Sequence, residues 1–245
     1  MTSVSGAAVS PDRTNTVLSR FFGVIRHPRV TLTAVAASPR WIAILAILTI
    51  AVAGSRVAVF ETRVGRLALV DEWERTALAF GQDVDDTRYA ELRTLSTHAV
   101  AYGIGTTLLT GPVLTLVIAA AVFVLFGAAI NPKPSFAQVC AVVAYASVPL
   151  ALRQIVAALS TYVSESTASV TSIGIWWPTL NEASAAARFA GALDVFIIWW
   201  VIVLAIGIGV LYQRNAQRLA LTFLGAYAGV ALLLAATMTA LGSTS

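Results

Sequence analysis

The sequence predicts an all-α membrane protein: a polytopic bundle of five transmembrane helices, N-terminus in the cytoplasm and C-terminus outside. Three observations carry that expectation. Of 245 residues, 58% are hydrophobic and only 11% charged, less than half of the about 25% with which an ordinary globular domain covers its surface. The few charges cluster, which leaves five long windows almost free of them. Finally, the Arg residues are shared unequally between alternate connections.

Residues 1–40 read as a cytoplasmic arm. In "TNTVLSRFFGVIRHPRV", Leu18, Phe21, Phe22 and Ile25 recur at helical spacing, with Arg20 and Arg26 beside them. That pattern predicts a helix lying on a membrane surface, its Arg groups near the lipid phosphates. It suits a plain anchor or a partner-binding, lipid-sensing arm. Pro28 ends the helix, and Pro39 precedes the first span.

A bilayer core of about 30 Å takes roughly 20 apolar residues as helix. Within a membrane domain covering 41–241, the spans are expected at 41–60, 102–128, 136–159, 193–212 and 219–241. Five Arg precede the first, and no small-residue cleavage site follows a short apolar core, so it is expected to be retained rather than removed as a signal. No window alternates with period two, as a membrane barrel would require.

Between spans one and two, residues 61–97 predict an extracytoplasmic amphipathic hairpin. Leu69, Val70, Trp73, Ala77 and Phe80 share one helical face, "GQDVDD" makes the turn, and a second helix from about Thr87 leads into span two. Asp83, Asp85 and Asp86 lack the Gly and Glu spacing of a calcium loop and read as helix caps. Residues 161–180 form a Ser/Thr-rich loop ending in Trp176 and Trp177, which suit a membrane–water interface. Thr179 with Glu182, and Ser135 with Gln138, have capping-box spacing.

The arm carries Arg13, Arg20, Arg26, Arg29 and Arg40 against one acid, Asp12, whereas the hairpin segment holds five Arg and eight acids. Lys133 and the pair Arg214 and Arg218 fall in connections on the arm's side. By the positive-inside rule that side is cytoplasmic, and five spans place the C-terminus opposite. The expected location is the cell membrane. The net charge of +4 fits anionic lipid at the Arg residues rather than nucleic acid, for which no basic, aromatic-interleaved groove exists.

Ionisable groups at membrane depth are expensive and mark candidate sites. Three qualify: Arg56, Arg153 and Asp194, all toward the outer ends of their spans. Asp194 is expected to pair with Arg153, Arg56 or both, tethering span four; alternatively each Arg snorkels to the interface. Gly111 and Pro112 should bend span two, and Pro149 should interrupt span three by freeing the Tyr145 carbonyl. Such breaks occur at transporter substrate sites and also in ordinary bundles. Gly225 and Gly229 form a GxxxG step, expected to pack on Gly207 and Gly209 of span four, with dimerisation as the other use.

No catalytic motif of hydrolase, P-loop or dinucleotide-binding type is present, and His27 and His98 stand alone. One cysteine, Cys140, allows neither a disulfide framework nor a Cys-based zinc site. No enzyme, metal or cofactor is expected.

"PSFAQVCAVVAYASVPLAL" resembles the third span of the Yip domain family, five-span membrane proteins known as partners of Ypt/Rab GTPases. The residues carrying the likeness are Ser135, Phe136, Gln138, Tyr145, Ser147 and Pro149. "RHPRVTLTAVAASPRW" is similar to its pre-membrane segment through Pro28, Thr31, Leu32, Pro39 and Trp41, and "LDVFIIWWVIVLAIGIGV" to its fourth span through Leu193, Asp194, Phe196, Trp199 and Gly207. The resemblance implies five helices and a cytoplasmic N-terminus. For eukaryotic members it also implies GTPase binding and vesicle budding, which are not carried over to an arm of about forty residues; the acidic segment after span one and the Arg-dominated composition look more like bacterial members. A non-enzymatic scaffold or membrane-organising role is the expectation. The alternative is a solute or lipid transporter, or lipid-handling protein, using the kinked spans two and three.

Overall fold

Hydrocarbon offers backbone groups no hydrogen-bond partner, so a chain this apolar must satisfy them within its own helices. The computed structural model describes residues 16–79, 82–127, 134–164, 171–176 and 185–242. Among them the chain is helical, with one isolated bridge and no strand. Five helices are long and apolar enough to cross a membrane: Trp41–Phe60, Asp86–Gly127, Phe136–Thr161, Val195–Tyr212 and Ala216–Thr237, here spans one to five.

Span three is the centre. Its apolar window is 61% buried, against 22% for span one, 17% for span two and 11% for span five. In its first half, α7 (Phe136–Ala146), every side chain from Val139 to Ala146 is closed off. Ser135 and Gln138 cap it reciprocally. Pro149 lies in the first turn of α8 (Val148–Ser164), where a missing N–H is tolerated, and Ser147 between the halves bonds the Val143 carbonyl through both its N–H (3.0 Å) and its hydroxyl (2.9 Å). Span two differs. Its apolar part, α6 (Ala99–Gly127), passes through Pro112 without ending.

The arm holds a second helix beyond the one expected. A hairpin of α1 (Val17–Arg26) and α2 (Pro28–Ala37) turns at Pro28 and packs into the bundle, burying Val24, Leu32 and Val35 among spans three and four. Arg20, placed near lipid phosphates by its sequence context, is instead buried. It donates to the Ser38 carbonyl (2.9 Å) and the Ser38 hydroxyl, and it faces the Tyr145 hydroxyl of span three. The reason lies in α2: its C-terminal end leaves carbonyls without intrahelical donors, and a guanidinium carries several. Gln138 closes the same end from span three, its Nε2 2.9 Å from the Ala36 carbonyl.

At the opposite end, α4 (Arg63–Ala79) buries Leu69 and Val70 and sets Trp73 edge-on to Tyr102 at 5.3 Å. Phe80 lies outside the described residues. Asp85 caps α5 (Asp86–Leu95) through the Arg88 N–H at 2.7 Å, and α5 continues through a 3-10 turn at Ser96–His98 into α6.

The GxxxG step does not pack on span four as expected. Span five, α11 (Ala216–Gly242), meets span four, α10 (Val195–Tyr212), through a ridge of residues four apart: Leu219, Phe223, Tyr227, Ala231 and Ala235. Gly225 and Gly229 sit two residues off that ridge, about 200° round the helix, and a Cβ at either would meet nothing within 4 Å. Gly207 faces span three and the arm instead, where a Cβ would stand 2.3 Å from Val142 Cγ1 and 3.5 Å from Leu32 Cδ1. Gly209 lies against the turn at Arg214 and Ala216. Gly207→Ala should therefore destabilise the monomer by about 1–3 kcal/mol through overpacking. Gly225→Ala and Gly229→Ala should stay within about 0.5 kcal/mol. Thermal unfolding in detergent, each variant against the parent, checks the contrast.

Candidate functional site

The end bearing the α4–α5 hairpin holds the intramembrane charges. Asp194 is not inside span four's first turn but caps it, Oδ1 accepting from the N–H groups of Phe196 (2.8 Å) and Ile197 (3.3 Å). Its other oxygen, Oδ2, accepts from Arg153 Nε of span three and from the Thr171 hydroxyl, both at 2.5 Å. The backbone joins in. Thr171 to Ile173 runs antiparallel to Leu193 to Val195, with Ile173 N–H on the Leu193 carbonyl (2.8 Å) and Val195 N–H on the Thr171 carbonyl (3.1 Å). Tyr227 of span five accepts from the Asp194 N–H (3.0 Å) and donates to the Ala192 carbonyl (2.8 Å), at the close of α9 (Ala185–Ala192). One residue thus connects spans three, four and five and the preceding loop. The carboxylate is buried while the Arg153 side chain keeps 31% of its exposure, so this is a half-covered pair with a saturated acceptor.

Arg56 does not join it. Its guanidinium donates to the Thr106 hydroxyl of span two at 3.3 Å, and among the described residues no carboxylate lies within 4 Å of it. Arg56 and Arg153 do share a boundary, since both line a cavity of about 300 Å³ between spans one, two and three. Gly111, Thr107 and Thr115 line it from span two, and Ser147 and Gln154 from span three. The two proline-bearing spans therefore face the same space, although Pro112 and Pro149 do not line it.

The motif residues behind the family likeness sit at joints. Gln138 ties span three to α2, Tyr145 faces Arg20, Ser147 and Pro149 form the break, and Asp194 makes the knot at the end bearing α4 and α5. Phe136 packs edge-on to Phe123 at 5.7 Å.

Residues 22–238 match the Yip1 domain. The chain belongs to the Yip1 domain family. Comparison with curated proteins and with solved structures finds no match to either. This Yip1 domain chain is thus an integral, multi-pass membrane protein whose five spans contact the lipid bilayer.

Thr171, Tyr227 and Thr107 were missed in the sequence. Thr171 lay in a Ser/Thr-rich loop without spacing to single it out, and Tyr227 was hidden inside the GxxxG step. The expected cap pair Thr179 and Glu182 lies outside the described residues, as do Trp177 and Lys133. Among the described residues no group of His, Cys, Asp and Glu is placed to hold a metal.

Asp194→Asn keeps an N-capping oxygen but strands Arg153. It should lower stability by about 3 kcal/mol, the low end for a broken buried pair because Arg153 is partly exposed. Asp194→Ala, which also loses the cap, should fall about 1 kcal/mol further. The swap Asp194→Arg with Arg153→Asp should recover part of the pair term and none of the cap. Urea unfolding in mild detergent measures all three.

Proposed function

We propose that this Yip1 domain protein is a non-enzymatic membrane-organising factor of the cell membrane, with the arm end facing the cytoplasm. The observation that carries the reading is the way α1 is held. Leu18, Phe22 and Ile25 are 61%, 56% and 37% exposed, while Arg20 and Val24 on the other side are fixed in the bundle. An apolar face pinned outward at the arm end of a membrane protein is covered by acyl chains beside the spans. A helix inserted into one leaflet only widens that leaflet, which favours curvature. Arg26 and Arg29 flank the hairpin's turn, where anionic headgroups would meet them.

The cytoplasmic placement is supported by the Arg excess of the arm together with Arg214 and Arg218 in the connection at the same end. The absence of any catalytic motif in the sequence supports the non-enzymatic reading. A lipid- or solute-handling role is favoured by a separate observation, the cavity bordered by Arg56 and Arg153.

Reconstituted at rising density into vesicles containing anionic lipid, the protein should shift the size distribution toward small or tubular forms in cryo-electron micrographs. The Leu18→Asp, Phe22→Asp double variant, losing about 1.5–3 kcal/mol of apolar insertion per side chain, should leave the vesicles as they were. A parent protein without effect on size sinks the reading. Reporter fusions at the two ends should report opposite sides, with the arm in the cytoplasm.

A further inference from the structure

We propose that the cavity between spans one, two and three binds one singly anionic amphiphile. Its phosphate or carboxylate sits at Arg56 and Arg153, and its hydrocarbon lies along the apolar walls beyond them. This inference stands apart from the curvature reading, because it uses no residue of the arm.

Four observations carry it. The first is charge. Among the described residues Arg56 has no carboxylate within 4 Å, Arg153 is matched by Asp194, and the three together leave one positive charge at the cavity's edge. An unmatched guanidinium at membrane depth calls for an anion, and a single one balances it. Arg153 spends only Nε on Asp194, so its two terminal nitrogens keep donors for an oxyanion, the geometry in which guanidinium binds phosphate and carboxylate best.

The second is Thr107. The residue is 6% exposed and lines the cavity, and its hydroxyl has no hydrogen-bond partner among the described residues. Its neighbours on span two behave otherwise: the hydroxyls of Thr106, Thr110 and Thr115 each bond a carbonyl one turn back, at 2.7, 2.5 and 2.9 Å. A buried hydroxyl left open in hydrocarbon is costly, and a turn about χ1 toward the cavity would let a ligand oxygen complete it.

The third is the wall. Leu45, Leu48, Leu114 and Ile118 line the rest of the space, which an inorganic anion would leave bare and an acyl chain would fill. A volume of about 300 Å³ accommodates the glycerol region and the first part of a chain, at the lower end of small-molecule pockets. The fourth is access. Thr110, Gly111 and Leu114 line the cavity and are also exposed on the outer surface of span two, so it opens sideways into the bilayer. At that mouth Gly111 has only Thr49 Oγ1 nearby, 3.9 Å from where a Cβ would stand.

The test is native mass spectrometry of the full chain released from nanodiscs of mixed phosphatidylglycerol and phosphatidylcholine. The expected result is one phosphatidylglycerol retained per chain, preferred about tenfold over phosphatidylcholine, a difference of about 1.4 kcal/mol. Arg56→Gln should remove that preference and Thr107→Val should reduce it about threefold. Arg75→Gln, exposed on α4 away from the cavity, should leave it intact. If Arg56→Gln does not fold, Leu114→Trp closes the mouth with every charge in place and should abolish retention. Equal retention of both lipids overturns the proposal, as does retention indifferent to Arg56→Gln or, in its place, to Leu114→Trp. A second arm offers inorganic phosphate to the protein in neutral detergent. Displacement of the lipid by millimolar phosphate would assign the site to a soluble anion and overturn the amphiphile.

Discussion

One carboxylate at the edge of the hydrocarbon organises this bundle. Asp194 ends the irregular stretch after α9, starts span four through its cap, takes Arg153 from span three, and has its own N–H received by Tyr227 of span five. Each of those groups would otherwise be an unsatisfied polar atom next to acyl chains, where water cannot substitute. Apolar packing holds helices together weakly in lipid, because the alternative contact is also hydrocarbon. Registry between spans three, four and five is therefore set where polar groups meet, and they meet at this residue. The arm end repeats the principle with other chemistry: Arg20 and Gln138 satisfy the carbonyl end of α2 and so fix the hairpin against spans three and four.

The positions behind the family likeness gain a physical meaning from these joints. None needs a substrate to justify it. Gln138, Tyr145, Ser147 and Asp194 each complete a backbone end or meet a buried guanidinium. A fold that keeps them keeps its joints, whatever the loops or the arm do elsewhere. Arg56 is the exception, since among the described residues its only bond is to Thr106 and it settles no helix end.

The spans were readable because length and hydropathy are local properties, and hydrocarbon imposes one secondary structure on them. The contact between Asp194 and Arg153 was readable for a related reason: few charges exist at that depth, so few partners had to be considered. What failed to show has a common cause. In soluble proteins an apolar helical face points inward, but in a membrane both surroundings are oily, and the pattern of Leu18, Phe22 and Ile25 cannot say which side is protein. The arm hairpin and the burial of Arg20 were hidden by that degeneracy. The small-residue pair on span five failed likewise. Gly225 with Gly229 and Ala231 with Ala235 both allow close approach, and only three-dimensional placement selects the alanines. Thr171 and Tyr227 reach Asp194 from 23 and 33 residues away, with no periodic signal to connect them.

The central position of span three also bears on biosynthesis. The ribosome delivers the chain from the N-terminus, so spans one and two and the arm hairpin are made before the helix against which they come to rest. Until it arrives, Arg20 and Arg56 stand in a half-built assembly whose remaining neighbours are lipid or the insertion machinery. Span five, the least enclosed of the set, comes last, and the Tyr227 hydroxyl then fastens a bundle whose other members are already in the bilayer.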